Sequence, residues 1–189
     1  MRSLKAIMQT SLDGFVAGAD SGFDNFVGGE ENLEFICSQT DTADLAMFGR
    51  VSFQLLHADW PTAGTRPGAT ENTIKYSNWY NTVSKVVFSR TLSDNHTKNT
   101  IVMNDIHMAE IQKLKQQPGR DMLIFGSPTV VHELIERNVL DAIWLIVHPV
   151  LFGDGIPLFR KRNQVDKLSL LHSHSLSNGT LCNRYAWQK

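Results

Sequence analysis

Cysteine is scarce in this sequence. Cys37 and Cys182 are the only two among 189 residues, and neither lies in a C-x-x-C pair or a cysteine–histidine cluster. That spacing argues against a metal centre and against a disulfide framework, so two free thiols in a reducing compartment are expected. An excess of either charge is missing too: 18 basic residues stand against 19 acidic ones, a net charge of −1. This leaves no footprint for nucleic acid and no polybasic membrane anchor, and the short Arg160-Lys161-Arg162 run reads as a solvated loop end. Long apolar runs are also lacking. The longest candidate, Ala142 to Val147, stops at His148-Pro149, well short of a membrane span. Met1 to Gln9 is too short and polar for a signal peptide, and Thr10-Ser11-Leu12-Asp13 interrupts it. There is no internal repeat, low-complexity tract or inter-domain linker. What remains is one soluble globular domain over residues 1–189, with 42% hydrophobic and 20% charged residues. It is large enough to bury a substantial core. The cytoplasm is its expected location.

What is present is alternation of strands and helices. Leu4 to Met8 reads as a strand. Ser11 to Gly29 reads as a long loop given freedom by Gly14, Gly18, Gly22, Gly28 and Gly29. Glu30 to Gln39 has helical spacing, Asp44 to Phe48 reads as a strand and Arg50 to His57 as a short helix. Ala58 to Ser77, with Pro61, Gly64, Pro67 and Gly68, reads as an irregular excursion of the kind that is often functional. Strands follow at Lys85 to Ser89 and Thr100 to Met103, then a helix from Ile106 to Gln116 stopped by Pro118-Gly119. Met122 to Phe125 is apolar throughout, as a strand covered on both faces must be. Val130, Val131, Leu134 and Ile135 then make a helical stripe, and Asp141 to Val147 is the next strand. This β-α-β order predicts a largely parallel sheet. The C-terminus differs: two alternating segments flank Asn178-Gly179, which predicts a two-residue hairpin turn facing Leu176 to Leu181 and Leu170 to Trp187.

Two local patterns carry the functional reading. Leu45-Ala46-Met47-Phe48-Gly49-Arg50-Val51-Ser52 and Met122-Leu123-Ile124-Phe125-Gly126-Ser127-Pro128-Thr129 each read as a buried strand, a glycine turn and a helix start. A glycine there lets a ligand approach the backbone, and the helix N-terminus presents unpaired N–H groups at the positive end of its dipole. Ser127 can cap and Pro128 suits the first helical position. Two such turns on one sheet suit the two halves of a phosphate-bridged dinucleotide; the alternative is strand–helix packing alone.

These turns belong to an ordered set: Ser11-Leu12-Asp13-Gly14, Gly49-Arg50-Val51-Ser52, Phe88-Ser89-Arg90, Gly126-Ser127-Pro128-Thr129 and Pro149-Val150-Leu151-Phe152-Gly153-Asp154-Gly155. In that order, and over nearly the whole chain, it resembles the dihydrofolate-reductase-like superfamily. The closer likeness is to the reductase domain of bifunctional riboflavin-biosynthesis deaminase-reductases and its stand-alone relatives. The resemblance implies a three-layer α/β fold: a mixed, mostly parallel eight-stranded sheet, flanking helices and a C-terminal antiparallel hairpin. It implies NADPH across the strand ends, with Gly49, Arg50, Val51 and Ser52 and then Gly126, Ser127, Pro128 and Thr129 at its phosphates. Ser89 and Arg90 would lie near the adenosine ribose. An arginine beside a ribose can grip a 2′-phosphate in a charge-assisted fork and so select NADP over NAD, with Arg50 and Arg90 as candidates. The resemblance also implies a homodimer.

Hydride transfer asks for alignment, exclusion of water and a proton source. Asp13 is the best-placed carboxylate for proton transfer, its alternative being a turn with Gly14. Glu30 and Glu34 open the first helix, where the folate branch places its carboxylate; they equally suit a helix N-terminus. Phe15, Phe26, Trp60 and Phe152 fall where the resemblance sets the substrate, and a flat heterocycle would stack on them; core packing is the other use of such rings. Gly153 and Gly155 could close over the nicotinamide or simply turn the chain. His172 and His174 read as non-catalytic. The chain departs from the riboflavin branch in two places: Ile124-Phe125-Gly126 replaces the expected Glu-Gly-Gly, and Leu56 occupies an expected acidic position. The zinc-deaminase signature is absent. The resulting expectation is an NADPH-dependent reductase of a small heterocycle, with 5-amino-6-(5-phosphoribosylamino)uracil as one substrate. The alternatives are a dihydrofolate reductase or other small-molecule reductase, and a catalytically inactive dimeric nucleotide-binding protein.

Overall fold

The computed structural model describes residues 1–19, 25–92, 99–161, 163 and 165–188. Gly22 of the glycine-rich loop and Arg162 of the basic run lie outside the described residues. Among the described residues the elements follow in chain order: β1 (Leu4–Thr10), β2 (Phe15–Gly18), α1 (Glu30–Thr40), β3 (Ala43–Gly49), α2 (Arg50–Ala63), α3 (Glu71–Thr82), β4 (Ser84–Phe88), β5 (Thr100–Met103), α4 (Met108–Gln116), β6 (Asp121–Ile124), α5 (Pro128–Glu136), β7 (Ala142–Val147), β8 (Gly155–Pro157), β9 (Leu168–Ser175) and β10 (Leu181–Trp187). Eight strands make one sheet in the order β5-β4-β3-β6-β1-β7-β10-β9, and β2 and β8 form a separate antiparallel pair. All contacts from β5 to β7 are parallel, and β10 is antiparallel to both its neighbours.

Strand periodicity sorts the core into two layers. Alternate residues Ala46, Phe48 and Val87 face the α1–α3 side with Phe53, Tyr76 and Tyr80. Met47 and Val86 face the other side, with Ile111 of α4 and Val130, Val131 and Leu134 of α5. A strand covered on both faces must be apolar at every position, and Met122, Leu123 and Ile124 are each fully buried. Among the described residues no helix is long and apolar enough to cross a membrane. Both cysteines are buried and free.

Three expectations need correction. The Ser11–Gly29 loop contains β2, which pairs with β8. The excursion from Ala58 to Ser77 is mostly helix: α2 continues through Pro61 to Ala63, and α3 begins at Glu71. The reason is packing, since Phe53, Leu56 and Trp60 lie at helical spacing and join the α1–α3 layer. Thr70 caps α3 by accepting a hydrogen bond from the Thr73 N–H at 3.1 Å. The hairpin turn spans three residues rather than two: the Leu176 N–H donates to the Thr180 carbonyl at 2.9 Å, with Gly179 at φ +85°. Leu181 therefore faces Ser175, and a bulge shifts Tyr185 opposite Leu170 and Trp187 opposite Leu168. The apolar β7 lies inside the sheet between β1 and β10.

Ion pairs cluster at the amino ends of the strands. Arg2 pairs with Asp44 and Lys5 with Asp121, while Lys115 reaches Asp141 at 2.6 Å. Lys85, 2% exposed, has no carboxylate among its described partners. Its ammonium donates to the Val83 carbonyl at 3.1 Å and lies 4.7 Å from the centre of the Tyr80 ring. Burial pulls its pKa down to about 8. The folded state thus binds fewer protons than the unfolded state between pH about 8 and the ordinary lysine value of 10.5, and this group favours folding more as pH rises through that window. Lys85→Met should therefore be more stable than the native chain at pH 7. Its advantage should shrink by roughly 2 kcal/mol by pH 10.5. Urea unfolding of both proteins across pH, read as a difference, checks this and cancels the thiol and phenol titrations common to both.

Candidate functional site

The carboxyl ends of β3 and β6 mark a change of direction in the sheet. From β3 the chain leaves through α2 and α3 toward β4; from the neighbouring β6 it leaves through α5 toward β7, on the other side and over the other face. Neighbouring strands whose connections diverge leave a crevice between them, the usual ligand position in open α/β sheets. The two glycine turns are the rims of this crevice. The Gly49 N–H donates to the Gly126 carbonyl at 2.9 Å, and the Phe125 N–H to the Met47 carbonyl at 3.1 Å. A Cβ on Gly49 would overlap the Ser127 hydroxyl and stand 3.0 Å from the Ser127 backbone nitrogen. Gly126 has φ +73°, and the Gly126–Ser127 peptide is cis. The turns are thus one corner, with no gap between two separate halves.

Two helices start at this corner without side-chain caps. Gly49 precedes α2 and Ser127 precedes α5, each with extended backbone and no capping bond from its side chain. Pro128 occupies the first turn of α5. The remaining amide donors of both first turns, with the Ser52, Ser127 and Thr129 hydroxyls, form a donor-rich rim suited to an anion. Val51 is 52% exposed there, and the exposed Arg50 donates to the Gln54 side chain at 2.7 Å. At the end of β4, Ser89 is buried and its hydroxyl accepts from the Thr91 and Leu92 N–H groups at 3.2 and 2.9 Å. Arg90 is exposed and paired with Asp105, whose carboxyl it holds below the usual range.

The other half of the edge lies beyond β1 and β7. There the Leu12 N–H donates to the Val150 carbonyl at 2.8 Å and the Leu158 N–H to the Gly14 carbonyl at 2.8 Å. Asp13 accepts from the Phe152 and Gly153 N–H groups at 3.1 and 2.8 Å. The Ser11 hydroxyl and these two backbone donors hold its carboxyl below the ordinary value, so near neutrality it is an acceptor that ties two loops. Gly14 turns on the Ser11 carbonyl instead. Phe15 is half-buried on β2. Gly155 packs where a Cβ would overlap the Ala17 carbonyl, while Gly153, at φ +73°, faces open space. Phe26 lies 5.1 Å from Phe152 and 4.6 Å from His148, ring centre to ring centre. A cavity of about 490 Å³ opens beside these groups, lined by Gly18, Ala19, Asn25, Val150, Leu151 and Phe152.

Two of the residues expected near the substrate make contacts with α3. Trp60 sits on α2 with its ring 4.3 Å from Tyr76, inside the helical layer and not on a substrate loop. Glu30 accepts from the Asn72 side chain of α3 at 2.7 Å. Conversely, His148 was not singled out from sequence. It is 1% exposed, and its ring nitrogens lie 3.0 Å from the Val27 carbonyl and 3.0 Å from Gln9. Burial lowers its pKa, and it fastens the approach to α1 onto the ends of β1 and β7. Its one sequence signal was its place after an apolar strand and before Pro149. A second hollow, about 510 Å³, lies between α1 and the face of β7, β9 and β10, with Phe35, Trp144, His172 and Arg184 among its walls; it is on the sheet face, away from the carboxyl edge. Among the described residues there is no cluster of three or more potential metal ligands.

The nested corner predicts its own sensitivity. Gly49→Ala should destabilise the fold by ~1–3 kcal/mol through overpacking against Ser127. Adding Ser127→Gly should return part of that loss, because it removes the overlapping hydroxyl. Denaturant unfolding of the single and double variants measures the coupling.

Comparison with known proteins agrees with this geometry. Residues 2–182 match the RibD C-terminal domain model. An uncharacterized protein, YyaP of Bacillus subtilis (strain 168), is 27% identical over 181 residues, covering 95% of this chain and 92% of that one. Among solved structures, a putative riboflavin biosynthesis protein from Shewanella sp. PV-4 superposes with a TM-score of 0.76 at 14% identity, covering 99% of each chain. Dihydrofolate reductase from Enterococcus faecalis, complexed with NADP(H), gives 0.64 at 16% identity, covering 99% of this chain and 97% of that one. With its sheet order, its two glycine turns and a family match over almost its full length, this chain belongs to the RibD C-terminal domain family, on a dihydrofolate-reductase-like fold.

Proposed function

We propose that this protein is an NADPH-dependent reductase of a small heterocyclic compound, acting in the cytoplasm as a homodimer. The observation that carries the reading is the corner itself: two helix N-termini without side-chain caps meet where the Gly49 N–H bonds the Gly126 carbonyl at 2.9 Å. The missing side chains at Gly49 and Gly126 keep the backbone within reach, and the converging donors and dipoles suit a diphosphate. Arg50, exposed beside that rim, is free to turn from the Gln54 amide toward a 2′-phosphate. Ser89 contributes by shaping the turn after β4, since its hydroxyl is already engaged. Arg90 would have to share its charge with Asp105.

When bound, NADPH supplies a hydride to an electrophilic carbon of the acceptor, and the accompanying proton comes from water. The chain's part is to hold, orient and exclude. Phe26 and Phe152 offer ring faces to a flat acceptor. Asp13 keeps the Phe152–Gly153 turn in place through two backbone bonds, a positioning role that its lowered pKa favours over proton donation. For the homodimer, β9 and β10 offer a surface beyond the helices where Leu168, Leu170 and Leu181 are 38%, 55% and 42% exposed and where the described strand positions of that face carry no charge.

Fluorescence titration with NADPH and NADH tests the reading. Tight NADPH binding with weaker NADH binding is expected, and Arg50→Ala should weaken NADPH by about tenfold while leaving NADH nearly unchanged. Equal losses would remove Arg50 from phosphate recognition. Absence of NADPH binding would favour a non-enzymatic member of the family. Sedimentation should give the mass of a dimer, and Leu170→Lys should shift it toward a monomer.

A further inference from the structure

Two arginines stand beside the corner, and they are engaged in different ways. Register sets their places: Gly49 lies opposite Phe88, and Phe88 opposite Met103. β3, β4 and β5 therefore end at one level, and Arg50, Ser89-Arg90 and Asn104-Asp105 leave the sheet side by side. Neighbouring strands lie about 4.8 Å apart, so Arg90 follows the strand next to the corner and Asp105 the strand after that. The turn after β4 is fixed by backbone bonds. The Ser89 N–H donates to the Met103 carbonyl at 2.9 Å, and the Ser89 hydroxyl accepts from the Thr91 and Leu92 amides. A diphosphate at the corner leaves one nucleoside for the β4–β5 side and the other for the β1–β7 side. The ribose of the first then meets Arg90 and Asp105.

Arg50 donates through Nη1 to the neutral Gln54 side chain at 2.7 Å, and its Nε–Nη2 edge has no partner among the described residues. Arg90 is the reverse. Its Nε and Nη2 both donate to one oxygen of Asp105, the Nε bond at 3.1 Å. That edge is the fork with which arginine grips a phosphate. Both side chains are largely exposed, Arg90 at 77% and Asp105 at 51%, so the pair is not locked by packing and either member can change partner. The Asp105 carboxylate also feels His107 and Arg137, after Arg90 itself; Arg137 is paired with Glu133 at 3.1 Å. A 2′-phosphate drawn to Arg90 has to displace a carboxylate and then remain beside it, and the two like charges repel. A 2′-hydroxyl meets no such conflict, because it can donate to a carboxylate in that place.

We propose that Asp105 is a specificity-determining residue for the cofactor: it occupies the fork edge of Arg90, leaves the 2′-phosphate to Arg50, and so limits the preference for NADPH over NADH. This rests on the reductase reading above and names the residue that restrains its cofactor choice. Fluorescence titration of the native chain, Asp105→Asn, Arg90→Ala and the double variant with NADPH and NADH tests it. Asp105→Asn should tighten NADPH about fivefold and leave NADH within about twofold. Added salt should shrink that gain by screening the repulsion. Arg90→Ala alone should change NADPH affinity less than about twofold, because its fork is already taken. In the Arg90→Ala background the gain from Asp105→Asn should fall below about twofold. Urea unfolding of the variants should match the native chain, since the pair is exposed. The proposal is overturned if Asp105→Asn weakens NADPH or shifts both cofactors equally. It is overturned as well if Arg90→Ala costs as much NADPH affinity as Arg50→Ala, or if the gain persists in full without Arg90. A native chain that binds no NADPH overturns the reductase reading and this inference together, so the first titration tells the two failures apart.

Discussion

The structure turns on one backbone hydrogen bond, from the Gly49 N–H to the Gly126 carbonyl. It continues the β3–β6 ladder one step past the strands, so two helix starts are brought to the same level and the same place. Glycine is required on both sides of that bond: at Gly49 because Ser127 occupies the space of a side chain, and at Gly126 because its φ is +73°. From there the helices part onto opposite faces of the sheet, and the crevice is the geometric consequence. The donor-rich rim and the position of Arg50 depend on that shared corner.

The two ends of the sheet do different work. The amino ends hold the ion pairs Arg2–Asp44, Lys5–Asp121 and Lys115–Asp141, and they bury Lys85. The carboxyl ends are tied mainly by backbone bonds, by Asp13 as an acceptor and by the His148 ring, which donates to the Val27 carbonyl.

Local signals carried much of this. Apolar Met122–Ile124 followed by Gly126, Ser127 and Pro128 was legible as strand, turn and helix, because burial on both faces, positive φ and proline's fixed φ each leave a residue-level mark. Pro61 misled, since its effect depends on whether an apolar helix face finds a partner, and α3 provides one. The hairpin was legible, but its register was not: Asn178-Gly179 signals a turn without stating its length, and the bulge depends on how β9 meets β10. Phe152 lines the cavity beyond β1 and β7, whereas Trp60 is drawn into the helical layer by Tyr76. Aromatic side chains look alike in sequence whether they line a cleft or fill a core.

By itself the sequence determined the alternation of elements, the parallel character of the central strands and the glycine corners. Each of these is written in neighbouring residues, through backbone freedom or burial period. Only the tertiary structure decided that the two corners are one and that Asp13 joins loops separated by well over a hundred residues. Those facts arise from strand order and register, which are set by packing between distant segments and leave no mark on any one of them.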